Sequence, residues 1–172
     1  MSKKILMIIA KDGFRDEELF EPKSVFEKAG YKVIVASSSA GIATGKLGAK
    51  VMVDETIDKV DAQGYDAVVF VGGPGAAEYF KNLTAHSIAK KVNEQRKLLC
   101  AICVAPVILA EAGILKGKRA TVWVSDAASI KAKGADYAGE GVVVDGNIIT
   151  ASGPSFAKEF GERIVEKLKI KN

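Results

Sequence analysis

Continuous apolar runs alternate with segments of helical periodicity along the whole chain. Six apolar runs predict strands, and most of them are uninterrupted, which is typical of strands that are covered on both faces. The predicted strands are Ile5–Ala10, Lys32–Ala36, Ala67–Val71, Leu98–Ile102, Ala120–Val124 and Ile148–Ala151. Between them, apolar residues recur every three or four positions, which predicts helices. The predicted helices are Glu17–Ala29, Ala85–Arg96, Pro106–Ala112, Asp126–Ala132 and Phe156–Leu168.

This order of strands and helices predicts an α/β fold, with a doubly wound, mostly parallel sheet between two layers of helices. Two segments depart from the pattern. The glycine-containing segment Gly41–Val53 alternates apolar and polar residues, which predicts a β-hairpin on the edge of the sheet. The segment Val142–Thr150 contains the turn sequence Asp145-Gly146-Asn147 and predicts a second hairpin. Because no linker or repeat interrupts the chain, we expect residues 1–172 to form a single domain.

Composition and charge exclude several classes of partner. The 25 basic and 21 acidic side chains are mixed along the sequence without a basic block, which argues against a nucleic-acid partner. No run approaches the roughly 18 uncharged apolar residues of a membrane span. Lys11 and Asp12 follow the first apolar run too soon for a signal peptide. We therefore expect a cytoplasmic protein with no membrane partner.

Cys103 directly follows the predicted strand Leu98–Ile102 and precedes a predicted helix that begins at Pro106. In open parallel sheets, ligands bind beyond the carboxyl ends of the strands. The free N–H groups and the dipole of a helix start favour a thiolate, which is the nucleophilic form of cysteine. The alternative is that Cys103 is a small buried apolar residue. Its position favours a reactive cysteine.

Cys100 and Cys103 form a C-x-x-C spacing, which is typical of redox pairs and of half a metal site. Residues three apart in a strand face opposite sides of the sheet, so we do not expect a disulfide between them. The only histidine, His86, lies on another predicted segment, so no set of four metal ligands is available. We expect Cys100 to be a core residue and the protein to hold no metal.

Gly72 and Gly73 follow the third predicted strand. Their spacing does not fit the dinucleotide-binding motif G-x-G-x-x-G, whose third glycine would fall on Glu78, so we expect no nucleotide cofactor. Glycines allow a close approach of the backbone to a neighbouring side chain and leave the Gly73 N–H free as an oxyanion donor. The Val104 N–H is the expected second donor.

The acidic run Asp16-Glu17-Glu18 begins the first predicted helix, where carboxylates complement the helix dipole. Glu18 can do more, because this helix start faces the same crevice as Cys103. A carboxyl group beside a thiol can share one proton with it. A protonated Glu18 would donate a hydrogen bond to the thiolate and stabilise it.

Four motifs in this order resemble the DJ-1/PfpI superfamily. They are Phe14-Arg15-Asp16-Glu17-Glu18-Leu19-Phe20-Glu21-Pro22, the Gly72-Gly73 turn, the elbow Ala101-Ile102-Cys103-x-x-Pro106, and Thr150-x-x-Gly153-Pro154. The resemblance spans nearly the whole chain and implies a flavodoxin-like, three-layer α/β/α sandwich with an added β-hairpin. It implies that Cys103 is the nucleophile and Glu18 its partner, and that Gly73 and Val104 supply main-chain donors. It also implies a homodimer or a larger homo-oligomer.

Several positions depart from the pattern of this superfamily. Val104 stands where PfpI-type peptidases carry a histidine, and Trp123 falls where DJ-1-type proteins often carry one. Without an imidazole, amide hydrolysis loses roughly 10²–10⁴-fold from general acid–base catalysis. Ser152 replaces an arginine of many relatives, which makes anionic substrates less expected. The residues expected to line the pocket are Gly72, Trp123, Ala105, which replaces the usual glycine, and Pro106.

Three functions are compatible with these residues. The favoured one is an enzyme of the glyoxalase or deglycase type that acts on small reactive carbonyls or their protein adducts and needs only Cys103 and Glu18. The second is a non-enzymatic sensor of oxidative stress, or a chaperone, in which Cys103 is oxidised. The third is an intracellular cysteine peptidase, which Val104 disfavours. A histidine supplied across a subunit interface could only be His86.

Overall fold

The computed structural model describes residues 2–170 and alternates strands with helices along the chain. The strands are β1 (Lys4–Ile8), β2 (Asp12–Phe14), β3 (Lys32–Ser37), β4 (Ile42–Gly45), β5 (Lys50–Met52), β6 (Glu55–Thr56), β7 (Ala67–Phe70), β8 (Leu98–Ile102), β9 (Arg119–Ala120), β10 (Asp136–Tyr137), β11 (Val142–Asp145) and β12 (Ile148–Ala151). The helices are α1 (Asp16–Lys28), α2 (Leu83–Glu94), α3 (Pro106–Glu111), α4 (Ala127–Ala132) and α5 (Ala157–Ile170). The predicted single domain, residues 1–172, includes Met1, Lys171 and Asn172, which lie outside the described residues.

Seven strands form the central sheet in the order β11-β12-β8-β7-β1-β3-β6. All neighbouring strands are parallel except the β11–β12 hairpin. The strands β7 and β8 are buried along their whole length, which explains their uninterrupted apolar runs. Helices α1 and α5 pack on one face, and α2, α3 and α4 pack on the other. The flavodoxin-like, three-layer α/β/α sandwich is therefore confirmed.

The predicted strand Ala120–Val124 does not belong to the central sheet. Only its first residue lies in a strand, β9, which pairs with β10 in a separate two-stranded sheet. The place beside β12 is taken by β11. Beyond β9, the Thr121 N–H donates to Thr150 Oγ1 at 2.9 Å, and the Trp123 N–H donates to the Cys103 carbonyl at 2.7 Å. These bonds direct the chain across the carboxyl end of β8.

Both predicted hairpins are present, but the first lies elsewhere than predicted. The β4–β5 hairpin, within Gly41–Val53, pairs with the short strand β2 in a separate three-stranded sheet. It does not extend the edge of the central sheet, because β6 pairs with β3 there. The second hairpin, β11–β12, forms as predicted and closes the opposite edge.

The carboxyl ends of β7 and β8 lie side by side and bring three connections together. Gly72 and Gly73 follow β7, and Cys103 follows β8 without a spacer. The connection from β2 to α1 crosses the same end, where the Arg15 N–H donates to the Gly72 carbonyl at 2.9 Å. Among residues 2–170, no helix is long and apolar enough to cross a membrane.

Candidate active site

Cys103 occupies a sharp turn between β8 and α3. Its φ of +64° lies in the left-handed region, which non-glycine residues adopt at a cost of about 1–3 kcal/mol and which is typical of functional sites. Two hydrogen bonds hold this conformation. The Cys103 N–H donates to the Ala151 carbonyl at 2.8 Å, and the Cys103 carbonyl accepts from the Trp123 N–H. Cys103 is 8% exposed, so most of the residue is shielded from solvent.

Glu18 meets Cys103 across the backbone of Gly72. A Cβ atom at Gly72 would lie 2.5 Å from Glu18 Oε1 and 2.7 Å from Cys103 Cβ, as well as 2.6 Å from the Ile102 carbonyl oxygen. Only a residue without a side chain allows both groups to approach this point. The structure thus brings together the carboxyl group and the thiol that the sequence analysis paired.

The Glu18 carboxyl group is fully buried and lacks a well-formed hydrogen bond within the described residues. Burial is the main reason why its pKa is raised to about 7, although the nearby Cys103 thiol and Gly72 backbone lower it in part. Glu18 therefore gains and loses its proton near neutral pH. A carboxyl group with such a pKa can act as a general acid and as a general base.

The Cys103 thiol is also affected by burial. Burial and the charge of Glu18 raise the pKa of Cys103 to about 12, whereas the backbone N–H groups of Val104 and Gly73 lower it. The two N–H groups thus act in the direction that the sequence analysis expected, but burial outweighs them. Because the two groups are coupled, the first proton to leave belongs to the Cys103–Glu18 pair rather than to either residue alone.

Gly73 is held against the start of α1. Its φ of +104° lies in the left-handed region, and a side chain there would overlap the Arg15 nitrogen and the Gly13 carbonyl oxygen. The N–H groups of Gly73 and Val104 lie close enough to the Cys103 thiol to lower its pKa. Two converging N–H groups form an arrangement suited to an oxyanion.

A cavity of about 220 Å³ opens over the sulfur. Its lining residues are Arg15, Lys46, Gly73, Pro74, Cys103, Val104, Trp123 and Pro154. Trp123 lies in the wall, where the sequence analysis placed it, but three other expected lining residues lie elsewhere. Gly72 is beneath the pocket between Glu18 and Cys103. Ala105 and Pro106 are buried, because the turn at Cys103 directs the start of α3 into the protein, where Ala105 packs in the α2–α3–α4 layer.

The sequence analysis missed two cationic lining residues, Arg15 and Lys46, and expected anionic substrates to be disfavoured. Ser152, which replaces an arginine, does not line the pocket; its hydroxyl accepts a 3.0 Å hydrogen bond from the Gly141 N–H. The pocket is instead lined by two cationic residues, Arg15 at the start of α1 and Lys46 in the β4–β5 turn. Lys46 lies within the predicted hairpin Gly41–Val53, and its distance from Cys103 along the chain hides their proximity in the structure.

Cys100 is fully buried, and burial raises the pKa of its thiol. The prediction that the two cysteines face opposite sides is wrong, since both side chains belong to the apolar layer beneath α1 and α5. The left-handed backbone at Cys103 ends the alternation of β8 and turns its side chain back to this layer. Both thiols are nevertheless free.

His86 has a structural contact far from this pocket. His86 lies on α2, and its Nε2 atom is 2.7 Å from the Phe80 carbonyl oxygen. It does not line the cavity. Within residues 2–170, no cluster of three histidine, cysteine, aspartate or glutamate side chains could hold a metal ion. The reactive groups that the structure brings together at this pocket are the Cys103 thiol and the Glu18 carboxyl group.

Comparison with known proteins agrees with this geometry. Residues 3–167 match the model of the DJ-1/PfpI family. The protein MJ0967 of Methanocaldococcus jannaschii is 47% identical over 172 residues, which cover 98% of this chain and 84% of that protein. Deglycase TK1284 of Thermococcus kodakarensis is 39% identical over 149 residues, covering 87% of this chain and 90% of the relative.

A solved structure extends the agreement to three dimensions. The ThiJ/PfpI domain protein of Brachyspira murdochii superposes with a TM-score of 0.96 at 38% sequence identity, and the match covers 98% of both chains. The family model and these relatives span nearly all of the residues that build the sheet, the elbow and the pocket. This chain belongs to the DJ-1/PfpI family.

Proposed function

We propose that this protein is a cysteine-dependent enzyme of the glyoxalase or deglycase type, which acts on small reactive carbonyls or on their protein adducts. One observation carries the proposal: Glu18 and Cys103 meet across Gly72, and burial raises the pKa of Glu18 to about 7. A carbonyl addition needs a nucleophile and one group that can accept and return a proton. This pair supplies both, and deglycase names among the relatives agree with it.

The reaction begins when the Cys103 sulfur adds to a carbonyl carbon in the pocket. The thiol proton moves to the Glu18 carboxylate as the carbon–sulfur bond forms. The carbonyl oxygen becomes an alkoxide, and the N–H groups of Gly73 and Val104, which lie near the sulfur, stabilise it. Glu18 then returns the proton to this oxygen, so the product is a hemithioacetal and Glu18 is regenerated.

With a 2-oxoaldehyde, the same carboxylate can complete an isomerisation. Glu18 removes the C–H proton of the hemithioacetal carbon and returns it to the neighbouring carbonyl carbon, while the hydroxyl proton of the hemithioacetal moves to the oxygen of that neighbouring carbonyl group. The result is a thioester of a 2-hydroxy acid, which water hydrolyses to release the acid and the Cys103 thiol. The addition step applies equally to the free carbonyl of an adduct on a protein side chain.

A peptidase reaction is less well supported by the residues at the pocket. The leaving amine of a peptide needs a proton, and imidazole normally supplies it. Val104 occupies the position after the nucleophile, and the only histidine of the chain contacts the Phe80 carbonyl instead. A peptide bond is therefore a poorer substrate for this site than an aldehyde.

Oxidant sensing is a second candidate, favoured by the hydrogen-bonding groups around the sulfur. The N–H groups of Gly73 and Val104 could bind the oxygen atoms of an oxidised cysteine, and a protonated Glu18 could donate to them. This role needs no substrate and no turnover. The two candidates differ in whether methylglyoxal is consumed.

Methylglyoxal consumption by purified protein tests the proposal. Wild type should convert methylglyoxal to lactate, and both Cys103→Ser and Glu18→Gln should lose this activity. Cys100→Ser is the matched control, because Cys100 is fully buried outside the pocket, and it should retain turnover. Equal rates for wild type and Cys103→Ser would refute the proposal, and so would no detectable turnover by correctly folded wild type.

The resemblance to this superfamily also leads us to propose a homodimer or a larger homo-oligomer located in the cytoplasm. Three exposed apolar side chains on the β4–β5 hairpin are consistent with a contact between copies: Ile42, Leu47 and Met52 are 52%, 61% and 63% exposed. Analytical ultracentrifugation tests the assembly, and a monomer at micromolar concentration would contradict it. Fractionation of source cells tests the location.

A further inference from the structure

One wall of the Cys103 pocket is cationic. Arg15 and Lys46 both line the cavity, whereas Pro74, Trp123 and Pro154 form its apolar side. Among the described residues, no carboxylate lines the cavity, since Glu18 is buried behind it. A substrate that enters therefore meets positive charge on one side and an indole ring on another.

The turn that carries Lys46 is fixed to the start of α1. Asp16 accepts hydrogen bonds from the Leu47 N–H at 2.8 Å and the Ala49 N–H at 2.9 Å, and its side chain is buried. The Lys46 N–H donates to the Phe14 carbonyl at 2.8 Å. These three hydrogen bonds fix the backbone of the turn, and they hold Lys46 beside the pocket.

Gly45 allows this attachment. A Cβ atom there would lie 2.6 Å from the Asp16 carboxylate carbon and from both of its oxygens. Both carboxylate oxygens of Asp16 accept hydrogen bonds from backbone N–H groups of the turn. Asp16 does not neutralise the Lys46 ammonium group.

Arg15 is held in place while keeping a donor free. Its Nε and Nη2 atoms donate to the two carboxylate oxygens of Glu17, each at 2.9 Å. This geometry leaves Nη1 available to a ligand. The pKa of Arg15 is raised mainly by Glu17, and also by Glu18 and Cys103, which indicates its proximity to the reacting groups.

The charges at the wall suit a ligand with a single negative charge. Glu17 neutralises Arg15, whereas Lys46 forms no ion pair with another residue of the described chain. An ammonium group without an ion-pair partner and one free guanidinium donor match a carboxylate better than a doubly charged phosphate. A cavity of about 220 Å³ also limits the group that it encloses to the size of a small molecule.

We propose that Arg15 and Lys46 make this pocket selective for small carbonyl compounds that carry a carboxylate group. The Cys103 sulfur adds to the aldehyde or ketone carbon while the cationic wall binds the carboxylate. The assignment of a carbonyl substrate rests on the proposed function, but the charge selectivity of the pocket does not. A pair of alkylating probes separates the two.

Iodoacetate and iodoacetamide differ mainly by one negative charge, and both alkylate the Cys103 sulfur with loss of iodide and of the thiol proton. The measured quantity is the rate of Cys103 alkylation by iodoacetate divided by the rate of its alkylation by iodoacetamide. Peptide mapping measures both rates, in a Cys100→Ser background. For wild type, this ratio should exceed that of N-acetylcysteine under the same conditions. It should fall as salt is raised, because salt screens the charges at the mouth of the pocket.

Lys46→Met should lower the ratio about two- to fivefold, which is the size expected for one exposed charge–charge contact. Lys50→Met is the matched control, since Lys50 lies on the same hairpin but outside the pocket, and its ratio should equal that of wild type. Equal ratios for the two variants would overturn the proposal. A wild-type ratio no higher than that of N-acetylcysteine would also overturn it.

Competition identifies the anion. Acetate should slow the alkylation of Cys103 by iodoacetamide in wild type, and the effect should weaken in Lys46→Met. Stronger protection by inorganic phosphate than by acetate would overturn the carboxylate assignment. Because no turnover is involved, a protein that selects iodoacetate but fails to consume methylglyoxal would refute the proposed function and leave the charge selectivity standing.

Discussion

The Trp123 N–H donates a 2.7 Å hydrogen bond to the carbonyl oxygen of Cys103. The wall of the pocket and the nucleophile are thus joined through the backbone. Together with the 2.8 Å bond from the Cys103 N–H to the Ala151 carbonyl, it holds Cys103 at a φ of +64°. The strain at this residue is maintained by neighbouring segments and has a consequence for stability.

Cys103→Gly should be more stable than Cys103→Ala by about 1 kcal/mol, because only glycine adopts the left-handed region without a steric penalty. Urea denaturation of the two variants measures this difference. The matched control is the same pair of substitutions at Cys100, in the middle of β8. There, alanine should be the more stable residue by about 0.5–1 kcal/mol. If alanine were the more stable residue at both positions, the backbone of Cys103 would not be strained.

Gly72→Ala tests the meeting of Glu18 and Cys103. The added methyl group would overlap Glu18 Oε1, the Ile102 carbonyl oxygen and Cys103 Cβ, and two of these three atoms belong to the backbone or lie next to it. We expect a loss of about 1–3 kcal/mol in the free energy of unfolding, and loss of methylglyoxal turnover.

Gly64→Ala is the control for that substitution, since a Cβ atom there meets nothing within 4 Å. Its free energy of unfolding should stay within about 0.5 kcal/mol of wild type. A stable and active Gly72→Ala protein would mean that Glu18 and Cys103 do not depend on this close approach.

The central sheet could be predicted from the sequence because its strands are buried on both faces. A short uninterrupted apolar run such as Leu98–Ile102, with a lysine before it and a helical pattern after it, is typical of a central parallel strand. The segment Ala120–Val124 has the same apolar character, but the N–H groups of Thr121 and Trp123 donate to the Thr150 side chain and the Cys103 carbonyl instead of forming a ladder with a neighbouring strand. The local pattern of apolar residues does not show which groups will accept hydrogen bonds from the backbone of a segment.

The candidate site was predictable where its chemistry is local and was missed where it depends on tertiary contacts. Cys103 and Gly73 were identifiable because each closely follows a strand. Lys46 could not be placed, since the bonds that fix its turn come from Asp16, thirty residues earlier in the chain. The orientation of Cys103 was also missed, because the left-handed turn interrupts the alternation of the strand.

Glu18→Gln should raise the pH at which Cys103 becomes reactive. In wild type, burial raises the pKa of Glu18 to about 7, so the carboxylate becomes available to accept the thiol proton as pH rises through that value. In the variant, only the thiol itself can ionise, and burial raises its pKa above the ordinary range. The rate of alkylation by iodoacetamide, measured from pH 5 to 10, should therefore rise at a higher pH than in wild type.

Glu27→Gln serves as the control for this pH profile, because Glu27 lies on the exposed side of the same helix and pairs with Lys23. Its profile should match that of wild type. An unchanged midpoint in Glu18→Gln would remove Glu18 from the proton transfer and leave Cys103 without a partner.

Mild hydrogen peroxide should oxidise Cys103 before Cys100 and stop largely at the sulfinate. Cys103 opens onto the pocket, whereas Cys100 is fully buried and burial raises its pKa, so thiolate character and access both favour Cys103. The N–H groups of Gly73 and Val104 and a protonated Glu18 can bind the sulfinate oxygens, which favours that oxidation state. Intact mass and peptide mapping should show two oxygen atoms added to the Cys103 peptide, in wild type and in Cys100→Ser alike. Earlier oxidation of Cys100, or a disulfide between the two cysteines, would contradict the assignment of Cys103 as the reactive centre.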